Sequence, residues 1–126
     1  MTKKRISVAA MKAKGRRLQQ WTAQQISNIT GRPCGKDQEI ESREMGQSGV
    51  DVKLYAKAKE MFPFSIECRN RERWDIPAWI LEAEKNQLPG TDWMLVVSKN
   101  RVKPIVIMDA EAFFDTYEIL IQEIWK

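Results

Sequence analysis

Val50-Asp51-Val52-Lys53-Leu54 and Phe64-Ser65-Ile66-Glu67-Cys68-Arg69 are the stretches whose reading decides the fold. In each, apolar residues alternate with polar ones, the period of two that marks a β-strand. Asp51 and Glu67 both stand between apolar neighbours, so each carboxylate points away from the side chains its strand buries. If the two strands pair, the carboxylates can converge. Two such groups, with waters and a substrate phosphate, suit Mg²⁺, which takes oxygen ligands in an octahedron. Arg69 shares the face of Glu67 by strand period and offers forked donors to a phosphate. The plainer reading of the same alternation is an ordinary polar strand face.

Working outward, residues 1–10 read as a basic N-terminal arm and residues 11–126 as a single domain. From Met11 to Thr30 the pattern is helical: Leu18, Trp21 or Thr22, Gln25 or Ile26, and Ile29 recur at spacings of three and four. Gly31 and Pro33 stop that helix. Lys12, Lys14, Arg16 and Arg17 lie at its start, where cations oppose the helix dipole, a cost that is relieved if this end faces phosphate. Residues 31–48 read as loop. Residues 56–61 make a short helical turn before Pro63. A middle helix runs from Ile76 to Asn86, with Asp75 as N-cap and Pro77 in its first turn. Apolar runs at Trp93–Val97 and Val102–Met108 flank a hairpin turn, Ser98-Lys99-Asn100-Arg101. Asp109 caps a last helix whose apolar positions are Phe113, Phe114, Tyr117, Leu120, Ile121 and Ile124. The order α-β-β-α-β-β-α predicts an α/β domain with a central mixed sheet flanked by helices.

The chain has 126 residues, 43% of them apolar and 30% charged, which suits one globular domain. No long apolar run spans a membrane, and Met-Thr-Lys-Lys-Arg at the start carries no apolar stretch of a secretory signal, so the expected location is the cytoplasm, that of the host cell if a phage encodes the chain. Cys34 and Cys68 form no CxxC pair and read as free thiols, Cys68 as small strand packing. Histidine is absent, which excludes the usual Ser-His-Asp and Cys-His catalysis, His-based zinc sites and a histidine general base. The net charge is +4, but it is segregated: residues 1–36 hold nine basic side chains and no acidic one, and the remainder nets −5. A segregated basic segment suits a polyanion, here nucleic-acid phosphate; a solubilising tail is the bland alternative.

Three stretches in order carry a resemblance: Lys12-Ala13-Lys14-Gly15-Arg16-Arg17-Leu18-Gln19-Gln20, Ser42-Arg43-Glu44-Met45-Gly46-Gln47-Ser48-Gly49-Val50-Asp51, and Phe62-Pro63-Phe64-Ser65-Ile66-Glu67-Cys68-Arg69-Asn70-Arg71-Glu72. The sequence resembles the PD-(D/E)xK nuclease superfamily, in particular small phage-type enzymes related to Holliday-junction resolvases. The resemblance implies a restriction-endonuclease-like fold. It implies that Asp51 and Glu67 bind the metal, with the carbonyl of Cys68 as a further ligand. Arg69 would stand where the family has its lysine. Gln20, or Gln19, would stand where many members have a helix glutamate. Arg43 and Ser48 would lie near the scissile phosphate or the junction backbone. From their charge, not from the resemblance, Lys12, Lys14, Arg16 and Arg17 are expected to contact the DNA backbone.

Two departures follow. Arginine does not give up its proton at neutral pH, so Arg69 cannot be a general base, though it can hold a phosphate oxygen. Glutamine in place of glutamate removes a charge from the metal site. The expected function is thus a Mg²⁺-dependent endodeoxyribonuclease, with Mn²⁺ able to substitute. It would resolve Holliday junctions as a homodimer and hydrolyse phosphodiesters through water that the ion activates. The alternatives are a nuclease of linear duplex DNA, a DNA-binding protein without activity on the same fold, and a protein-interaction module with a basic arm. Trp74, Trp79 and Ile80 read as packing for the middle helix, and Glu39, Glu41 and Glu44 as solvated loop acids.

Overall fold

In the computed structural model, which describes residues 7–43 and 49–126, the chain opens with α1, Val8–Thr30. The helix starts within the expected arm because the Ser7 side chain accepts a hydrogen bond from the Ala10 amide at 3.1 Å, an N-cap the periodicity does not reveal. Gly31 ends it at φ 70°, the left-handed conformation that glycine adopts freely, and its N–H donates to the Ser27 carbonyl. The buried face holds Lys14, Leu18, Gln19, Thr22, Ala23 and Ile26. Trp21 and Ile29, offered by the spacing, are exposed instead.

Five strands follow: β1 (Ile40–Ser42), β2 (Val52–Leu54), β3 (Phe64–Asn70), β4 (Asp92–Lys99) and β5 (Val102–Met108), in sheet order β1-β2-β3-β4-β5. β1 lies in the stretch expected to be loop. It is only three residues long, too short to show a period, and forms by pairing Ile40, Glu41 and Ser42 with Leu54, Lys53 and Val52. β2 and β3 are antiparallel, β3 and β4 parallel, β4 and β5 antiparallel. The short α2 (Ala56–Met61) precedes β3, and α3 (Ile76–Lys85) is the crossover that a parallel β3–β4 pair requires. Asp75 caps α3 through the Ala78 amide, as expected. The result is an α/β domain with a mixed five-stranded sheet between helices.

The core is laid down between α1 and one face of the sheet: Leu18, Ala23 and Ile26 pack with Ile40, Val52, Ile66, Cys68, Met94 and Val96. Leu95, Val97 and Glu67 alternate to the other face, towards α3, and are equally buried. This corrects one expectation. Asp51 and Glu67 do not lie on an open polar face; each is 1% exposed, because helices cover both sides of the central strands. The last helix, α4 (Ala110–Ile124), behaves differently. Asp109 caps it through the Ala112 amide, yet Ala112 is its one buried residue among those described. Phe113, Phe114, Tyr117, Leu120, Ile121 and Ile124 form an apolar stripe left in solvent. No helix among the described residues is long and apolar enough to cross a membrane.

Candidate active site

Asp51 enters the sheet just before β2. Its N–H donates to the Ile66 carbonyl at 2.8 Å and its carbonyl accepts from the Arg43 N–H at 2.7 Å, so backbone pairing on both sides fixes where the carboxylate sits. Its Oδ2 accepts from the Cys68 amide at 2.7 Å, and its Oδ1 from the Arg43 guanidinium. Glu67 reaches the same place from β3. Its Oε1 accepts from Asn86 Nδ2 at 2.8 Å, at the C-terminal cap of α3, which leaves Oε2 turned to the site.

Between these groups stands one nitrogen. Arg69 Nη1 lies 3.2 Å from Asp51 Oδ2, 3.4 Å from Glu67 Oε2 and 2.9 Å from the Cys68 carbonyl oxygen. Its other terminal nitrogen, Nη2, donates to Glu82 on α3. Three oxygens from two adjacent strands therefore converge on a single cationic atom. Burial, then the charge of Asp51, raises the Glu67 carboxyl to about 7, although Asn86 and Arg69 pull the other way. Burial works against the Arg69 charge, but Glu82, Asp51 and Glu67 together hold its pKa above the ordinary value. Burial and the Asp51 charge push the Cys68 thiol up, so it offers no thiolate nucleophile.

These groups border a cleft of about 470 Å³ whose walls include Lys12, Gln19, Arg43, Asp51, Cys68, Arg69, Trp79 and Glu82. Glu67 is not in the wall; it meets the cleft through Arg69 and Asp51. Of the expected DNA contacts, Lys12 lines the cleft, and Arg16 and Arg17 are exposed outside its wall. Lys14 turns inward, with its ammonium 4.0 Å from Glu72. Ser48 lies outside the described residues. Of the two glutamines, Gln19 is buried and in the wall, whereas Gln20 faces solvent one residue further round the helix; the helix position in the site is Gln19. Trp74 is held by the Ser98 carbonyl and by Lys99 over its ring, a packing role.

The pattern does not reveal Glu82, Asn86, Asn70 or Trp79 as site residues. Glu82 and Asn86 share one face of α3 at a spacing of four, but only the packing of α3 on the sheet directs that face at Glu67 and Arg69.

The oxygens suit a hard divalent cation. Two buried carboxylates and a carbonyl are ligands that Mg²⁺ and Mn²⁺ accept, and the pair already draws in a guanidinium nitrogen as its counter-charge. Among the described residues no cluster of three acidic side chains stands ready to hold a metal, so a bound ion would need the Cys68 carbonyl, water or substrate to complete its shell. Arg43 adds a second indication: among the described residues its buried Nε has no hydrogen-bond partner, a donor left for a ligand in the cleft it lines.

A mixed sheet with the carboxylates of two neighbouring strands at one end of a basic cleft is the architecture of a restriction-endonuclease-like PD-(D/E)xK nuclease. The family model described as "phage putative PDDEXK endonuclease" matches residues 10–125, and the chain belongs to that family. No curated protein matches the chain, and no solved structure does.

Proposed function

We propose that this phage-type endonuclease is divalent-metal-dependent and cuts branched DNA, with the four-way junction as its preferred substrate. One observation carries the metal dependence: Asp51, Glu67 and the Cys68 carbonyl converge on a single cation position at the wall of a basic cleft. A bound Mg²⁺ or Mn²⁺ supplies an activated water and charge neutralisation at the scissile phosphate. Asp51 and Glu67 hold it, with Asn86 fixing the Glu67 rotamer. Arg43 and Arg69 bind phosphate oxygens and stabilise charge that develops on them. Arg69 takes no proton from water, because a guanidinium stays charged. Lys12 at the cleft and the exposed Arg16 and Arg17 hold the flanking backbone. The preference for a junction rests on the likeness of the three stretches quoted above to small phage-type resolvases.

Two matched cuts require two active sites, and α4 supplies a surface for a second copy of this chain. Its seven large apolar residues from Phe113 to Trp125, excluding Ile119, are 46–79% exposed. At roughly 100 Å² each they offer on the order of 700 Å², close to the ~800 Å² per partner of a stable interface.

Cleavage of a labelled four-way junction and its matched linear duplex tests the reading, in EDTA, Mg²⁺ or Mn²⁺, with Asp51→Asn as control. The expected result is paired, metal-dependent nicks in the junction that vanish in Asp51→Asn while binding persists. Cutting of the linear duplex alone would replace the junction with ordinary duplex as substrate. Binding without cutting in either metal would leave a DNA-binding protein, the reading favoured by Arg69 filling the cation position.

A further inference from the structure

We propose that Arg69 is a built-in counter-ion that competes with the divalent cation, so that metal enters only as the guanidinium gives up its place between Asp51, Glu67 and the Cys68 carbonyl. The inference rests on the metal reading above and concerns what controls that site.

The geometry is that of an occupied position. Nη1 is within hydrogen-bond reach of all three oxygens at 2.9–3.4 Å. Glu67 is not in the cleft wall, whereas Arg69 and Asp51, both in contact with it, are. A dication and a guanidinium nitrogen cannot share three oxygens, because both would sit at the same point and repel. Glu82 makes the exchange feasible. It holds Nη2 from α3, and its side chain is 57% exposed against 18% for Arg69, so it anchors the outer edge of the guanidinium. Arg69 can release Nη1 and keep Nη2, remaining at the cleft wall where a phosphate would lie. The arginine at this position thus does two things that a shorter lysine cannot do together. It sets its charge against both buried carboxyl groups in the absence of metal, and it stays tethered to α3 when displaced.

The test is Mn²⁺ binding to the metal-free protein by calorimetry, without DNA. Arg69→Ala should bind Mn²⁺ at least about tenfold more tightly than the wild type, since a competing unit charge is gone. Arg69→Lys, which keeps the charge but not the second nitrogen, should fall between them. Added guanidinium should weaken Mn²⁺ binding to Arg69→Ala in a competitive manner, beyond the effect of the same concentration of sodium chloride. Equal or weaker Mn²⁺ binding by Arg69→Ala would overturn the proposal and leave the metal site standing. Absence of Mn²⁺ binding to every form at millimolar ion would overturn both. A wild-type measurement guards against a variant that does not fold. The side-chain Nε–H signal of Arg69, followed by NMR during Mg²⁺ addition, should move as the ion saturates. A signal unchanged at saturation would refute displacement.

Discussion

Glu67→Gln replaces a carboxyl that burial and the Asp51 charge push up to about 7. In the unfolded chain the same group titrates near 4.5. Below that value it is neutral in both states and costs nothing. Between 4.5 and 7 the unfolded chain loses the proton while the folded protein keeps it, so wild-type stability falls as pH rises through this window and levels off above it. The full span corresponds to about 3 kcal/mol at most, and solvent reaching the cleft reduces it to roughly 1–3 kcal/mol. Glutamine carries no such titration. Its amide keeps an acceptor for Asn86 Nδ2 but turns an N–H towards Arg69, a mismatch that costs about 1 kcal/mol at every pH. The variant should therefore be slightly less stable than the wild type at pH 5 and gain about 1–3 kcal/mol on it by pH 8.5. Urea unfolding of both proteins in EDTA at the two pH values measures the difference. A wild-type/variant gap that is constant with pH would refute the claim that burial and Asp51 hold a proton on Glu67.

Three further outcomes follow from the same geometry. Lys12→Ala should lower the slope of log binding constant against log salt on duplex DNA by about one, the loss of one phosphate contact, whereas Lys14→Ala should leave the slope unchanged because its ammonium faces Glu72. Phe114→Asp combined with Ile121→Lys should convert a dimer to a monomer in light scattering without loss of helix by circular dichroism; a mass that does not change would reject α4 as the self-association surface. In the cleavage assay, Asp51→Asn should abolish nicking while its DNA affinity stays within a few-fold of wild type, since the carboxylate lies at the proposed metal position rather than on the basic flank.

The strand pair that carries the carboxylates was legible because alternation survives at its centre: Val50, Val52, Ile66 and Cys68 are buried as their period implies. The depth of the site was not legible. Whether an acidic strand residue meets water or a helix depends on what covers the sheet, and α3 covers Glu67 through Asn86, a contact between residues far apart in sequence. The rotation of α1 was legible only to within one residue. Gln19 and Gln20 differ by 100° about the helix axis, and the burial of Thr22, Ala23 and Ile26 places Gln19 inward. Lys14 reads as one of four cations at a helix start, yet it sits on the face that carries Leu18, where Glu72 can reach it. β1 had no period to read, and pairing with β2 creates it. The apolar stripe of α4 was plain in the sequence, but stripes are normally buried within their own chain, and only the fold shows this one uncovered.

Charge balance links the metal, the arginine and the DNA. Above pH 7, with Asp51, Glu67 and Glu82 all ionised against Arg43 and Arg69, these five side chains carry a net of one negative charge. A dication alone would turn that into one positive charge in a partly buried setting, where it is poorly screened. One phosphate restores neutrality, and Arg69, once it releases Asp51 and Glu67, is free to meet it. On the proposed metal reading, the ion and the DNA backbone would therefore favour each other's binding, and by reciprocity each should raise the other's affinity by the same factor. In a metal-free, DNA-free protein the same argument runs backwards: the two buried carboxyl groups favour a cation, and Arg69 is the one that contacts both, while Arg43 holds Asp51. A glutamate at position 19 would add a third buried negative charge to this wall, one that Arg69 alone could not balance.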